Sequence, residues 1–191
     1  MNKILLVNGS PRVHGNTAIL AEALANGVRA AGGTIDLASL ANLKLSHPGC
    51  SACMGCQQPA NRGKCVLGDD LAKLVESVPN YDVLVFAFPV YFFHPNAQIK
   101  MFLDRMFCLF DAKTNTSMIP KVKMAILASA GGSLAGGLEA SDHFFISLAR
   151  FLKTPYTSFL KPLCPEDSSR LKNDTKTLED SKNFGQHLAQ W

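Results

Sequence analysis

Apolar and polar positions along the chain fall into short blocks with two different periods. Lys3 to Val7 carries the run Ile4-Leu5-Leu6-Val7 and stops at Asn8-Gly9-Ser10-Pro11, which reads as a buried strand closed by turn residues. From Asn16 onward Leu20, Leu24 and Val28 recur every four residues beside Ile19 and Ala23, a helical stripe ended by Gly32-Gly33. Thr34 to Leu40 reads as a second strand. A helix then opens at Asp69-Asp70 and carries Leu71, Leu74, Val75 and Val78 on one face. Val83 to Phe88 is apolar without alternation, the pattern of a strand covered on both faces. A helix with Ile99, Phe102, Leu103 and Met106 follows, then a strand over Val122 to Ala128. After these come a helix from about Leu138 to Leu152, a strand over Tyr156 to Leu160, and a last helix holding Leu178, Phe184 and Leu188.

Strands alternating with helices predict an α/β protein whose parallel sheet has helices on both faces, joined by right-handed crossovers. Five such units in 191 residues suit a flavodoxin-like three-layer sandwich with strand order 2-1-3-4-5, since a barrel would need eight. The expected organisation is a single domain over residues 1–191. Residues 41–68 interrupt the alternation as a long, aperiodic, cysteine-rich insertion, and connections of that length in compact domains are usually functional or disordered.

Composition narrows the picture further. Hydrophobic residues make up 47% and charged residues 18%, so there is enough apolar side chain for a core and wholesale disorder is excluded. A net charge of +4 without a basic run offers nothing to nucleic acid, and no apolar stretch approaches the ~20 residues of a membrane span. The N-terminal apolar run is too short for a secretory signal, so the expected location is the cytoplasm. Six cysteines in such a chain point to metal or redox chemistry in preference to disulfides.

In an open parallel sheet the ligand lies beyond the C-terminal strand ends. Three segments fall there. Asn8-Gly9-Ser10-Pro11-Arg12-Val13-His14-Gly15-Asn16-Thr17 runs into a helix and offers hydroxyls, backbone N–H groups and a helix dipole to a phosphate. It has neither the lysine of a triphosphate loop nor G-x-G-x-x-G, so it suits a single phosphate. Phe88-Pro89-Val90-Tyr91-Phe92-Phe93-His94-Pro95-Asn96 is a stiff aromatic segment able to flank a planar ring. Ser129-Ala130-Gly131-Gly132-Ser133 permits close approach of backbone to a ligand.

The stretches LLVNGSPRVHGNT, AFPVYFFHPNAQIKMFLDR and SAGGS, in that order, resemble the NAD(P)H-dependent FMN reductases and quinone reductases of the flavodoxin-like superfamily. That resemblance implies FMN as cofactor and NAD(P)H as co-substrate. It implies that Ser10, Arg12, Asn16 and Thr17 hold the FMN phosphate. Pro89, Val90, Tyr91 and Phe92 would contact the isoalloxazine, and Ser129, Gly131 and Gly132 would lie near the ring and ribitol. It also implies a small-molecule electron acceptor, a homodimer or homotetramer, and no catalytic side chain of the protein's own, because the flavin carries the chemistry. Phe93-His94-Pro95 departs from relatives that more often have small residues there.

Cys50-x2-Cys53-x2-Cys56-x8-Cys65 is a triple with one more cysteine, and successive x2 gaps are closer to iron–sulfur ligation than to paired zinc ligands. The Cys50–Asp70 stretch resembles the iron–sulfur flavoproteins, which implies a [4Fe–4S] cluster on Cys50, Cys53, Cys56 and Cys65. Free thiols, or an occasional disulfide in a dimer-forming loop, are the other reading of the same residues. Cys108 and Cys164 are expected to act as small hydrophobes. Three activities stand side by side: an FMN oxidoreductase, an electron-transferring iron–sulfur flavoprotein with a partner such as ferredoxin, and a flavodoxin-like carrier. The positive net charge weighs against the carrier.

Overall fold

The computed structural model describes residues 1–191. Strands β1 (Lys3–Asn8), β2 (Thr34–Ser39), β3 (Val83–Tyr91), β4 (Lys123–Ser129) and β5 (Tyr156–Lys161) form a parallel sheet in the order β2-β1-β3-β4-β5. This is the flavodoxin-like order the alternation predicts. Helices α1 (Asn16–Ala30), α2 (Asp70–Ser77), α3 (Ala97–Arg105), α4 (Glu139–Leu152), α5 (Ser168–Lys172) and α6 (Thr175–Gln190) cover both faces.

Alternate strand residues sort into two cores, which explains why the central strands show no hydrophobic alternation in sequence. Leu5, Val7, Leu84, Phe86, Phe88, Met124 and Ile126 pack with Leu71, Val75, Ile99, Phe102 and Phe145 from α2, α3 and α4. On the other face Ile4, Leu6, Val83, Val85, Ala125 and Leu127 pack with Leu20, Leu24, Val28 and Leu188 from α1 and α6. Strand β2 lies at the sheet edge and is correspondingly more exposed.

The structure corrects the reading of the aromatic segment. Strand β3 does not stop at Phe88: it continues to Tyr91 and folds back, pairing Val90 with Pro95 and Tyr91 with His94. Phe92 and Phe93 form the two-residue turn, with φ of 47° and 73°. Such turns normally use Asn-Gly, because both central residues must enter the left-handed region. Bulky residues held there cost about 1–3 kcal/mol each. Gly137 (φ 107°) leans on this turn, so closely that a Cβ would lie 2.6 Å from the Phe93 Cα. It sits in a wide turn, Leu134–Leu138, that precedes α4. Helix α5 and the short pairing of Phe110–Asp111 with Thr116–Ser117 were not predicted. Elements of two to five residues are too short to show a period.

Helices α1 and α6 meet backbone to backbone. A Cβ on Gly27 would fall 1.9 Å from the Lys182 carbonyl oxygen, and one on Gly185 2.0 Å from that of Leu24. This contact seats α1, whose N-terminus closes the Ser10–Thr17 segment. Gly27→Ala should therefore lower the urea midpoint by the equivalent of about 1–3 kcal/mol of overpacking, outweighing the ~1 kcal/mol by which alanine favours a helix. An unchanged or raised midpoint would show that the helices part without cost.

Candidate functional site

At the C-terminal edge of the sheet lies an open cavity of about 420 Å³. Ser10, Arg12, Asn16 and Thr17 line it from the β1–α1 connection, Pro89, Val90 and Tyr91 from the end of β3, and Ser129 and Gly131 from the end of β4. Two predicted residues do not line it. Phe92 is 97% exposed at the tip of the turn, carried away by the fold-back of β3, and Gly132 lies just outside the wall.

Local chemistry explains the polar end. The Asn8 side chain accepts from Ser10 N (2.9 Å), and the Ser10 hydroxyl accepts from Arg12 N (3.2 Å), which curls the segment before α1. Helix α1 has no acidic residue in its first turn and no side chain capping it, so its dipole faces the cavity unopposed. The Asn16 amide donates to the Pro165 carbonyl, and its Oδ1 is buried without a partner. Asn96, the residue preceding α3, donates to the Gly9 carbonyl and ties that helix to the same loop.

A fourth segment was missed. Cys164, Pro165 and Glu166 also line the cavity. They are held there because Leu163 N donates to Gly132 O and Cys164 N to Ala130 O, both at 2.8 Å. The edge rule applied to the fifth strand as well as the first, third and fourth would have found them. Cys164 is buried as expected, though against this cavity.

The four clustered cysteines also converge. Cys50, Cys53, Cys56 and Cys65 face one narrow cavity of about 20 Å³, with Cys108 and Arg105 on its inner wall. Left-handed residues Ala52 (φ 54°) and Met54 (φ 57°) between the first three coil the loop tightly. All six cysteines of the chain carry free thiols. No three His, Cys, Asp or Glu side chains are gathered to hold a single ion, whereas zinc would draw its sulfurs to ~2.3 Å of one point. What the four residues share with iron–sulfur centres is the chemistry of the donor set, cysteine thiols at short sequence spacing that line one cavity.

Arg105 organises this second site, and sequence reasoning did not single it out. Its side chain is fully buried and pairs with Asp69 at 2.8 Å. Nε donates to Gly49 O, Nη2 to His47 O (3.0 Å), and Nη1 to Cys65 Sγ (3.2 Å) and Asp69 Oδ1 (3.2 Å). Asp69 in turn caps α2 by accepting from Ala72 N and takes two further bonds from Ser46. Burial alone would raise the Asp69 carboxyl, but Arg105 and these N–H and O–H donors hold it well below the usual carboxylate range. His94 packs edge-on against Phe144, as a structural residue would.

The NADPH-dependent FMN reductase family matches residues 2–158. The chain belongs to that family. It is accordingly an oxidoreductase of the FMN-dependent, NAD(P)H-using kind. It is 28% identical to an iron–sulfur flavoprotein of Methanocaldococcus jannaschii, over 98% of this chain and 96% of that one. An iron–sulfur flavoprotein of Methanosarcina thermophila is 31% identical over 72% of this chain and 67% of its own. Among solved structures, the NAD(P)H:quinone oxidoreductase of Methanothermobacter marburgensis superposes with a TM-score of 0.75 at 19% identity, covering 98% of this chain and 96% of that one. An FMN-dependent NADH-azoreductase of Bacillus anthracis, solved with FMN, gives 0.73 at 12% identity over 98% and 100%. At those identities the two structures speak for the fold.

The thiols of the family member described here differ in environment. The Gly55 N–H and the Ser51 hydroxyl lower the Cys53 thiol, which is exposed. Burial, reinforced by neighbouring Cys65 and Cys56, pushes Cys108 up to about 12. In metal-free protein at pH 8, iodoacetamide followed by peptide mass spectrometry should label Cys53 early and Cys108 only after unfolding, because the thiolate is the nucleophile. Early labelling of Cys108 would contradict the inner-wall placement.

Proposed function

We propose that this protein carries hydride from NAD(P)H to a quinone, a flavin or another small acceptor, with FMN in the cavity at the sheet edge. The observation that carries the proposal is that four segments distant in sequence meet as walls of one cavity of about 420 Å³, with Ser10, Arg12, Asn16 and Thr17 on one wall and Pro89, Val90 and Tyr91 on another. FMN, when bound, supplies the hydride acceptance and donation. Ser10, Arg12 and Thr17, with the N-terminus of α1, offer hydroxyls, a cation and backbone donors to one phosphate. Asn16, expected at the phosphate, has its amide N–H engaged by the Pro165 carbonyl and its Oδ1 buried and unpartnered, so beside that phosphate it would accept from a ribityl hydroxyl. Pro89, Val90 and Tyr91 would orient the ring, while Ser129 and Gly131 leave its edge approachable. In the same proposal residues 41–68 are an insertion in a single domain, and the protein is a cytoplasmic homodimer or homotetramer. An apolar groove of about 380 Å³ between α3 and α4, lined by Leu103, Phe110, Phe144 and Phe151 among others, supports assembly, since exposed apolar surface of this kind favours a partner copy.

A second reading concerns the cysteines. Their convergence on one cavity favours a [4Fe–4S] cluster on Cys50, Cys53, Cys56 and Cys65, and the names of two similar proteins, both iron–sulfur flavoproteins, support an iron–sulfur centre. The cluster would supply one-electron transfer, to or from the flavin and a small or protein partner.

Reconstitution should give tight binding of FMN and not of FAD, and anaerobic NADPH or NADH should bleach the bound flavin within minutes. Bleaching by dithionite alone would favour the carrier. Asn16→Asp should weaken FMN by about tenfold or more, roughly 1.4 kcal/mol, by setting a carboxylate near the phosphate. Tyr91→Ala should lower turnover more than it lowers NAD(P)H affinity, because hydride transfer tolerates little misplacement. Phe92→Ala should leave FMN affinity within about twofold, since the ring points to solvent; a loss matching that of Tyr91→Ala would place Phe92 on the flavin after all. Iron and sulfide analysis of anaerobically prepared protein tests the cluster. Replacing any one of the four cysteines by Ser should remove most iron and leave FMN bound.

A further inference from the structure

Among the charged side chains buried in this chain, Arg105 is the one whose five N–H groups all have partners inside the cysteine site and its support. It stands at the last residue of α3 and reaches the insertion at three points, the carbonyls of His47 and Gly49 and the sulfur of Cys65. A residue needed only to hold the loop would have served with its carbonyl contacts and Asp69. The Nη1–H aimed at Cys65 is a contact to a candidate ligand atom, and it comes from a cation shielded from water.

We infer, resting on the cluster reading above, that Arg105 is a positioning residue that sets both the geometry and the reduction potential of the cysteine centre. The physical reason is electrostatic. A cluster held by these thiolates would become more negative on one-electron reduction, and a hydrogen-bond donor or a cation at a ligand sulfur would stabilise that state. Arg105 supplies both to Cys65, and because its guanidinium is itself shielded from water the effect is damped less than that of a surface charge. Asp69 acts in the opposite sense: its carboxylate, 2.8 Å from Nη2, partly neutralises the guanidinium and holds it in place. Altering each member of the pair should therefore move the potential in the opposite direction, which a merely structural tie would not do.

The test uses the full-length protein reconstituted anaerobically with iron, sulfide and FMN, and reads iron content and the potential of the cluster by dye-mediated titration followed by electron paramagnetic resonance. Arg105→Lys keeps the charge and a partner for Asp69, but one ammonium cannot span Asp69, the two carbonyls and Cys65. It should retain iron and shift the potential to lower values. Asp69→Asn keeps an α2 cap and an oxygen for Arg105 while removing the opposing charge. It should shift the potential to higher values. FMN bound in the separate cavity reports that each variant is folded. If one variant fails to fold, the sign of the shift in the other decides. Potentials that stay at the wild-type value, or that move the same way in both variants, overturn the inference and leave Arg105 a structural tie. Wild-type protein that holds no iron and sulfide overturns the cluster reading itself, and the inference with it.

Discussion

The cysteine insertion depends on a charge buried where charges are expensive. Removing a guanidinium and a carboxylate from water costs several kcal/mol per ion, and their attraction offsets this only when the remaining donors are also satisfied. Arg105 meets that condition. Its contacts with Asp69 join α3 to the cap of α2, and its other contacts hold the start of the insertion and Cys65. The 28-residue connection, with three single-turn helices, is tied down further by Gln57, whose amide bonds the carbonyls of Phe107 and Phe110, and by Glu76, which accepts from Cys65 N. The pair thus serves geometry more than global stability, because well-packed apolar residues could have filled the same space at no loss.

The flavin-type cavity is fixed by different means, close packing and backbone contacts. Glycines at the α1–α6 crossing set how deeply α1 sits on the sheet, and α1 carries the polar end of the cavity. Gly137 bears on the Phe92-Phe93 turn in the same way. That turn holds two aromatic residues in a conformation that costs free energy, and strain of this kind persists only where surrounding contacts over-determine it. Here the determinants are the Val90–Pro95 and Tyr91–His94 pairings and the Gly137 contact.

How far the sequence could be read follows from the range of the interactions. Strands β1, β3 and β4 were legible because burial on both faces writes a continuous apolar run. The loops after them were legible because position in a parallel sheet tells where ligands bind. The four cysteines were legible by spacing alone. Arg105 was not, since its partners lie 36 to 58 residues away and on an isolated helix an arginine at that position looks like a solvated charge. Nor was the fold-back of β3, because Phe-Phe carries none of the usual turn chemistry. Cys164 to Glu166 were overlooked although the rule that located the other walls reaches them.

The two sites sit at the two ends of α3. Asn96, just before its first residue, bonds to Gly9 beside the edge cavity, and Arg105, its last, enters the cysteine site. Nine helical residues rise ~13 Å at ~1.5 Å each, so the sites do not share a wall, and their lining residues do not overlap. One rigid element nevertheless sets both. Its apolar stripe, Ile99 and Phe102, is fully buried against the central strands, which leaves it little freedom to slide. A helix so packed sets the separation of the two sites in this structure. The proposed flavin and cluster would require such a fixed separation, and it needs no contact between them.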